Sequence, residues 1–223
     1  MSRQLAFRFR TWGGARPGAG RPRVAGAGLP HTPRPALAAR FPVHVTVRMA
    51  GHVYNLRSRR CFAVIAAAVE RARDRAGMRL VQFSAQGNHV HLIAEASNAR
   101  ALARGVQGLS VRMARGLNRV MGRNGRVFAD RYHARILKTP REVRFALRYV
   151  LLNFLKHARR SSRPWRNLPL DPFSSAGRFD GWSRPTSWRP VVPVTVAPPG
   201  TWLLDNGWRR HGLLDPDERP PPG

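Results

Sequence analysis

Proline is what most restricts how this chain can fold. Five prolines fall in residues 1–40 and twelve in 161–223, with only Pro42 and Pro140 in the 120 residues between. Proline lacks a backbone N–H and clashes inside a helix, so the flanks cannot sustain long helices or central strands, while the middle can. The chain is therefore read as a basic arm over 1–40, a folded domain over 41–160 and a C-terminal arm over 161–223. The first arm carries eight arginines and no acid, and is too poor in large apolar residues to bury a core, so it reads as disordered. The last holds Trp165, Trp182, Trp188, Trp202 and Trp208. That is too many for a plain linker, and it reads as a largely irregular, extended arm laid over the domain or over DNA.

Within 41–160 the hydrophobic period switches repeatedly. Phe41 to Met49 alternates Val43, Val45 and Val47 against His44, Thr46 and Arg48, a half-buried strand. Leu56 to Ala76 is Ala-rich with apolar residues at helical spacing, and Gly77 suits its C-terminal cap. Arg79–Gln86 and His89–Ala96 read as strands joined by a tight Gly87-Asn88 turn. Ser97 or Asn98 can cap a helix running to about Met121. Val127 to Leu137 reads as an irregular strand. Thr139-Pro140-Arg141-Glu142 combines an N-cap, a proline at the first helical position and a capping-box glutamate, opening a helix to about His157. The order β-α-β-β-α-β-α predicts an α+β fold: a ferredoxin-like split β-α-β antiparallel sheet followed by one further helix.

Charge narrows the partner. The chain has 40 basic and 11 acidic residues, a formal charge of +29. The middle segment alone holds 24 basic and 5 acidic residues, so the imbalance belongs to the domain and not merely to its arms. Such a surface repels itself unless it meets a polyanion, and nucleic acid is the natural one. Arginine in place of lysine reflects codon bias, but the scarcity of acids does not. Cys61 is alone, which excludes an internal disulfide and a cysteine-built zinc site. No run of about 18 apolar residues exists, so the expectation is a protein that is not membrane-bound, cytoplasmic and associated with the nucleoid.

Two spacings carry chemistry. In Gly87-Asn88-His89-Val90-His91-Leu92, the two histidines are two apart on a strand and share a face, where adjacent imidazoles can grip one divalent metal. The same pattern also fits two surface histidines. On the last predicted helix Tyr149 and Asn153 are four apart, one turn along the same side. A tyrosine hydroxyl can attack a phosphodiester where a metal withdraws charge from the phosphate, and an Asn carbonyl one turn on can join a His-His-Asn metal site. Alternatively, Tyr149 packs in the core and Asn153 is a tolerated polar residue. Tyr132 reads as structural or as a base-stacking residue.

Residues 43–157 resemble the single-tyrosine HUH transposases, in particular the branch of REP-associated tyrosine transposases. The matching pieces are Val43-His44-Val45-Thr46 with Arg48, Gly87 through Leu92, Phe128 through Tyr132-His133, and Arg148-Tyr149-Val150-Leu151-Leu152-Asn153. The resemblance implies that His89, His91 and Asn153 hold a divalent metal, Mg2+ or Mn2+, and that Tyr149 is the nucleophile. It implies cleavage of hairpin-flanked single-stranded DNA with a 5′-phosphotyrosine link, and rejoining without ATP. A monomer and a homodimer are both compatible with it. The branch commonly has proline after that asparagine; here Phe154 stands there, so the helix is expected to continue.

Other residues are candidates for DNA contact. Arg104, Arg112, Arg115 and Arg119 on the second helix suit phosphate contacts or simply a solvated basic face, and Arg48 and Arg131 flank the strands. Arg21 lies within a Gly-Arg-Pro flanked by Arg16 and Arg23, a run that resembles an AT-hook, which enters narrow A·T-rich minor grooves; a nonspecific basic tail is the plainer reading. Two other functions fit the charge: a hairpin DNA- or RNA-binding clamp without catalysis, and a ribosome-associated basic protein. Neither requires His89, His91, Tyr149 and Asn153 together.

Overall fold

The computed structural model describes residues 35–155 and 170–218; the AT-hook-like run and Trp165 lie outside the described residues. The elements are β1 (Val43–Arg48), α1 (Arg59–Ala72), β2 (Asp74–Arg75), β3 (Met78–Ala85), β4 (His89–Ala96), α2 (Ala99–Val120), β5 (His133–Ile136) and α3 (Pro140–Leu152). The sheet order is β2-β3-β4-β1-β5, and every pairing is antiparallel. Without the two-residue β2, the order β3-β4-β1-β5 is the ferredoxin-like split β-α-β arrangement expected, an open α+β sheet.

The alternation in β1 divides the molecule. Val43, Val45 and Val47 are buried with Phe62 and Ile65 of α1 and Leu109 and Met113 of α2 in one apolar core. His44, Thr46 and Arg48 therefore face the other side. A register shift between Leu80 and Gln82 is the kind of bulge that lets Leu80 and Phe83, three apart, share the first core. On the second side α3 packs Val143, Leu147, Val150 and Leu151 with Val81 and Ile93 of the sheet and with Leu203, Leu204 and Trp208 from the C-terminal segment. Each layer contributes one apolar stripe, and the polar half of β1 and β4 is left beside α3.

Local chemistry sets the helix starts. Ser58 accepts from the Cys61 N–H at α1 and Asn98 from the Ala101 N–H at α2. At α3, Thr139 and Glu142 form the full capping box, with proline in the first turn. Several boundaries differ from the sequence reading. α1 stops at Ala72 because residues 74–79 form a hairpin, Arg75 pairing with Met78. Its turn residues Ala76 and Gly77 have φ of +56° and +74°, so Gly77 serves a two-residue turn and not a helix cap. The Gly87-Asn88 turn is tight as expected, but neither residue is among those with positive φ. Its carbonyls instead accept from the Leu56 and Met49 N–H groups. Only His133–Ile136 of the 127–137 stretch is strand, with an isolated bridge between Met49 and Phe128. α3 closes at Leu152 with Asn153 as its C-cap; Phe154 and Leu155 follow in helical conformation after that turn, and His157 lies outside the described residues.

Residues 170–218 lie along the domain. Phe173 O accepts from Ala85 N, Ser175 N donates to Phe83 O, and Ala197 N to Leu80 O, covering the part of the β3 edge that β2 does not reach. The fully buried Asp171 carboxylate pairs with Arg57 at 2.8 Å, and the Glu95 carboxylate accepts from the N–H groups of Gly200 and Thr201 at 2.9 and 2.7 Å. A short helix, Trp202–Asp205, and a 3-10 turn, Gly207–His211, put the buried Trp208 ring into the α3 core. Among the described residues no helix is long and apolar enough to cross a membrane.

Candidate active site

The register across β1, β4 and β5 assembles a polar patch. Thr46 stands opposite His91 and Arg48 opposite His89 on one side of β1, while His44 is opposite Arg135 and Thr46 opposite His133 on the other. α3 lies against this patch. Together with Phe145, Arg148, Tyr149 and Glu142 these residues line a cleft of about 830 Å³.

Tyr149 is brought to the histidines. Its ring centroid is 5.0 Å from that of His91 and 5.7 Å from that of His44, both edge-on. His89 and His91 lie 4.6 Å apart by ring centroids, as two residues on one strand face should. Asn153, one turn past Tyr149, is buried, and its amide nitrogen is 3.5 Å from His91 Nε2. Thus the four residues singled out by spacing, contributed by one strand and one helix, are brought together.

Surrounding groups orient the imidazoles. His91 Nδ1 lies 3.1 Å from Thr46 Oγ1 and 3.2 Å from His44 Nε2. An N–H at Nδ1 donating to Thr46 places the lone pair of a neutral ring on Nε2, the nitrogen toward Asn153. His89 Nδ1 donates to the Asn88 side-chain Oδ1 at 2.8 Å, which likewise assigns the lone pair to Nε2. Burial, with the nearby His133 and Arg135 charges adding to it, lowers the His44 pKa to about 4, so His44 is neutral at physiological pH. Burial also raises Tyr149 above the ordinary phenol value, so the hydroxyl is protonated until a reaction takes its proton. Glu142 is pulled up by burial, but the N–H groups of Lys138 and Thr139 and the Arg135 guanidinium outweigh this and hold it below the usual carboxylate value.

His44, Thr46, His133, Arg135, Glu142 and Arg148 belong to the cleft but not to the set read from spacing. The alternation of β1 already put His44 and Thr46 on the polar side, and that signal pointed to them; the pairing with β5 was not visible. Of the arginines expected to contact DNA, Arg48 is exposed in the cleft. Arg131 is exposed outside its lining, with its N–H on the Asp130 carboxylate. Arg104, Arg115 and Arg119 are exposed on α2 and Arg112 is half-buried, its guanidinium on Gly108 O; all four are on the far side of the sheet. Arg16, Arg21 and Arg23 lie outside the described residues.

The residues fit a divalent cation by donor chemistry. Among the described residues no three His, Cys, Asp or Glu side chains are grouped to hold a metal; in the set read from spacing the third donor would be an amide, whose oxygen and nitrogen exchange places by a half-turn of the side chain. Two imidazole nitrogens and one amide oxygen are all neutral, which leaves the charge of the cation to be met by an anionic phosphate.

No protein-family model and no curated protein matches the chain. Among solved structures it is similar to a REP-associated tyrosine transposase bound to a REP hairpin, at 12% identity and a TM-score of 0.52, over 67% of this chain and 84% of that one. A protein of Deinococcus radiodurans R1 described as a candidate transposase is 14% identical, with a TM-score of 0.36 over 48% of this chain and 84% of the other. The likeness to the first is one of fold alone.

Proposed function

We propose that this protein is a single-tyrosine HUH nuclease and strand transferase acting on hairpin-flanked single-stranded DNA. The observation that carries the reading is the placement of Tyr149 and Asn153, one helical turn apart, against His91 at 5.0 Å between rings and 3.5 Å between side-chain nitrogens respectively. His89, His91 and Asn153 would hold Mg2+ or Mn2+, which when bound supplies Lewis-acid withdrawal of charge from the scissile phosphate. The Tyr149 Oη attacks phosphorus and gives up its proton; the P–O3′ bond breaks, leaving a 5′-phosphotyrosine and a 3′-oxygen that takes up a proton. Rejoining reverses these steps with another 3′-hydroxyl, and the covalent link conserves the bond energy. Arg48 and Arg135 line the cleft and would hold the strand's phosphates, since phosphoryl transfer depends mainly on positioning and charge stabilisation. A neutral His44 lets His91 be oriented without adding positive charge beside the ion.

The test is incubation of a labelled pool of hairpin-flanked single strands with Mn2+, followed by a denaturing protein gel. A protein–DNA adduct is expected with the wild type and absent with Tyr149→Phe or chelator. Strong binding without an adduct on any hairpin of the pool would overturn the enzymatic reading.

A further inference from the structure

The arginines of α2 do not serve the cleft. They project from the opposite face of the sheet, where α1 and α2 pack side by side. There the exposed positions of α2 are Arg100, Arg104, Gln107, Val111, Arg115 and Arg119, four arginines and no acid. The exposed charges of α1 are Arg59, Arg60, Glu70 and Arg71, and the one carboxylate is within 4.0 Å of Arg73. The pattern within each helix is the same. Arg60 and Arg71 are eleven residues apart, as are Arg104 and Arg115. Eleven residues are three turns, so each pair projects to one side, separated by about 16 Å along the axis. Between them lie small side chains, Ala67 on α1 and Gly108 and Val111 on α2, with the half-buried Arg112 guanidinium folded back onto Gly108 O.

The two helices run antiparallel. A Cβ on Gly116 would meet Val64, and one on Gly105 would meet Met78, just beyond the end of α1. Exposed basic side chains therefore gather toward both ends of the helix pair, while in the middle Arg112 is tied back onto its own helix. The major groove of B-DNA is about 12 Å wide between two phosphate walls, and two arginine groups about 16 Å apart across a smooth middle match walls flanking a groove. Single strands are usually gripped by stacking bases on aromatic rings. Among the described residues the exposed large apolar side chains are Tyr54, Val111, Phe145, Trp202 and Leu213, so the outer face of α1 and α2 offers no aromatic, whereas the cleft contains Phe145 and Tyr149.

We propose that the outer face of α1 and α2 is a docking surface for double-stranded DNA, separate from the cleft and reading backbone phosphates. The surface is independent of tyrosine chemistry and stands whether or not Tyr149 is a nucleophile. With a single strand in the cleft, it lets the protein engage duplex on the far side of the same sheet.

The experiment uses the full chain and three triple variants. One carries Arg60→Gln, Arg104→Gln and Arg115→Gln. A second carries Lys at the same three positions. A charge-matched third carries Arg178→Gln, Arg189→Gln and Arg210→Gln, all exposed on the C-terminal segment. Fluorescence anisotropy follows binding of a blunt duplex of about 24 base pairs across a salt series, since each lost phosphate contact lowers the slope of log K against log salt by about 0.9. The Gln variant of α1 and α2 is expected to lose tenfold or more in affinity, and about 2.7 from that slope. The Lys variant should keep the binding, which separates lost contacts from a damaged fold. The C-terminal variant should stay within about threefold of wild type. Equal losses in the two Gln variants, no loss in the α1 and α2 variant, or tighter binding of an RNA duplex than of the DNA duplex would overturn the proposal. The adduct assay with Tyr149→Phe reads a different event, so its failure leaves this measurement intact.

Discussion

The Asn153 amide nitrogen stands 3.5 Å from Nε2 of His91, and both side chains are 3% exposed. The pair joins the end of α3 to the middle of the sheet across 62 positions of sequence. A buried amide facing a buried imidazole nitrogen is a weak structural contact but a good pair of donors for one cation. Asn153→Ala should therefore lower Mn2+ affinity at least about tenfold, because loss of even an outer partner of a metal ligand has that effect. Asn153→Asp, which places a charge at the same position, should restore or tighten it. Isothermal titration of the apoprotein with Mn2+ checks both, and an Asn153→Ala variant that binds Mn2+ like wild type would remove Asn153 from the metal site.

Thr46 acts one layer further out. Its hydroxyl is 3.1 Å from His91 Nδ1, and a valine of nearly the same shape cannot keep that bond. Thr46→Val is expected to lower Mn2+ affinity about tenfold while changing stability by about 1 kcal/mol, the ordinary net worth of one hydrogen bond. If His91 holds the cation as proposed, adduct yield should recover at high Mn2+, because the variant would misorient a ligand without removing one. If yield stays low at saturating Mn2+, Thr46 has some other role.

How far the sequence foretold this arrangement depends on the range of the interaction. The i,i+2 spacing of His89 and His91 and the i,i+4 spacing of Tyr149 and Asn153 are local, and periodicity alone placed each pair on one face. The capping box at Thr139 and Glu142 was equally local. The two-residue β2 has no period to detect, so the hairpin that truncates α1 at Ala72 went unseen and Gly77 was given the wrong duty. Sheet register is non-local: nothing near His44 in the chain says that it will stand opposite Arg135 or touch His91. The course of residues 170–218 was hidden for the same reason, since the partners of Asp171, Ser175 and Glu218 lie 114, 93 and 74 positions away.

Asp171 tests that C-terminal attachment. The carboxylate is fully buried, and its charge is met by Arg57, whose side chain is 26% exposed. Removing one member of a buried pair leaves the other uncompensated, so Asp171→Ala should lower unfolding free energy by about 3 kcal/mol. Loss of the side chain also takes away the acceptor for the Phe173 N–H. Chemical denaturation measures the effect, and a change under about 0.5 kcal/mol would mean that the segment holds by apolar packing alone.

Glu218 bears directly on the helix that carries Tyr149. Its carboxylate accepts from both Nη atoms of Arg144 at 2.9 Å and from Arg148 Nη1 at 2.6 Å. Burial by itself raises the Glu218 pKa, but the hydrogen bonds and charges of Arg144 and Arg148 outweigh it and hold the group below its ordinary 4.5. A folded-state value below the unfolded one means that the contact stabilises the protein fully above about pH 4.5. The contribution is lost as pH falls through the depressed folded value, where both states are protonated. Glu218→Gln should thus cost about 1–2 kcal/mol at neutral pH, toward the lower end because the side chain is 20% open to solvent. The gap between wild type and variant should then close in acid. Thermal melts of both proteins from about pH 7 down to pH 3 read this directly. A gap that stays constant over the series would show that Glu218 acts through shape rather than charge, and that Arg144 and Arg148 are held without it.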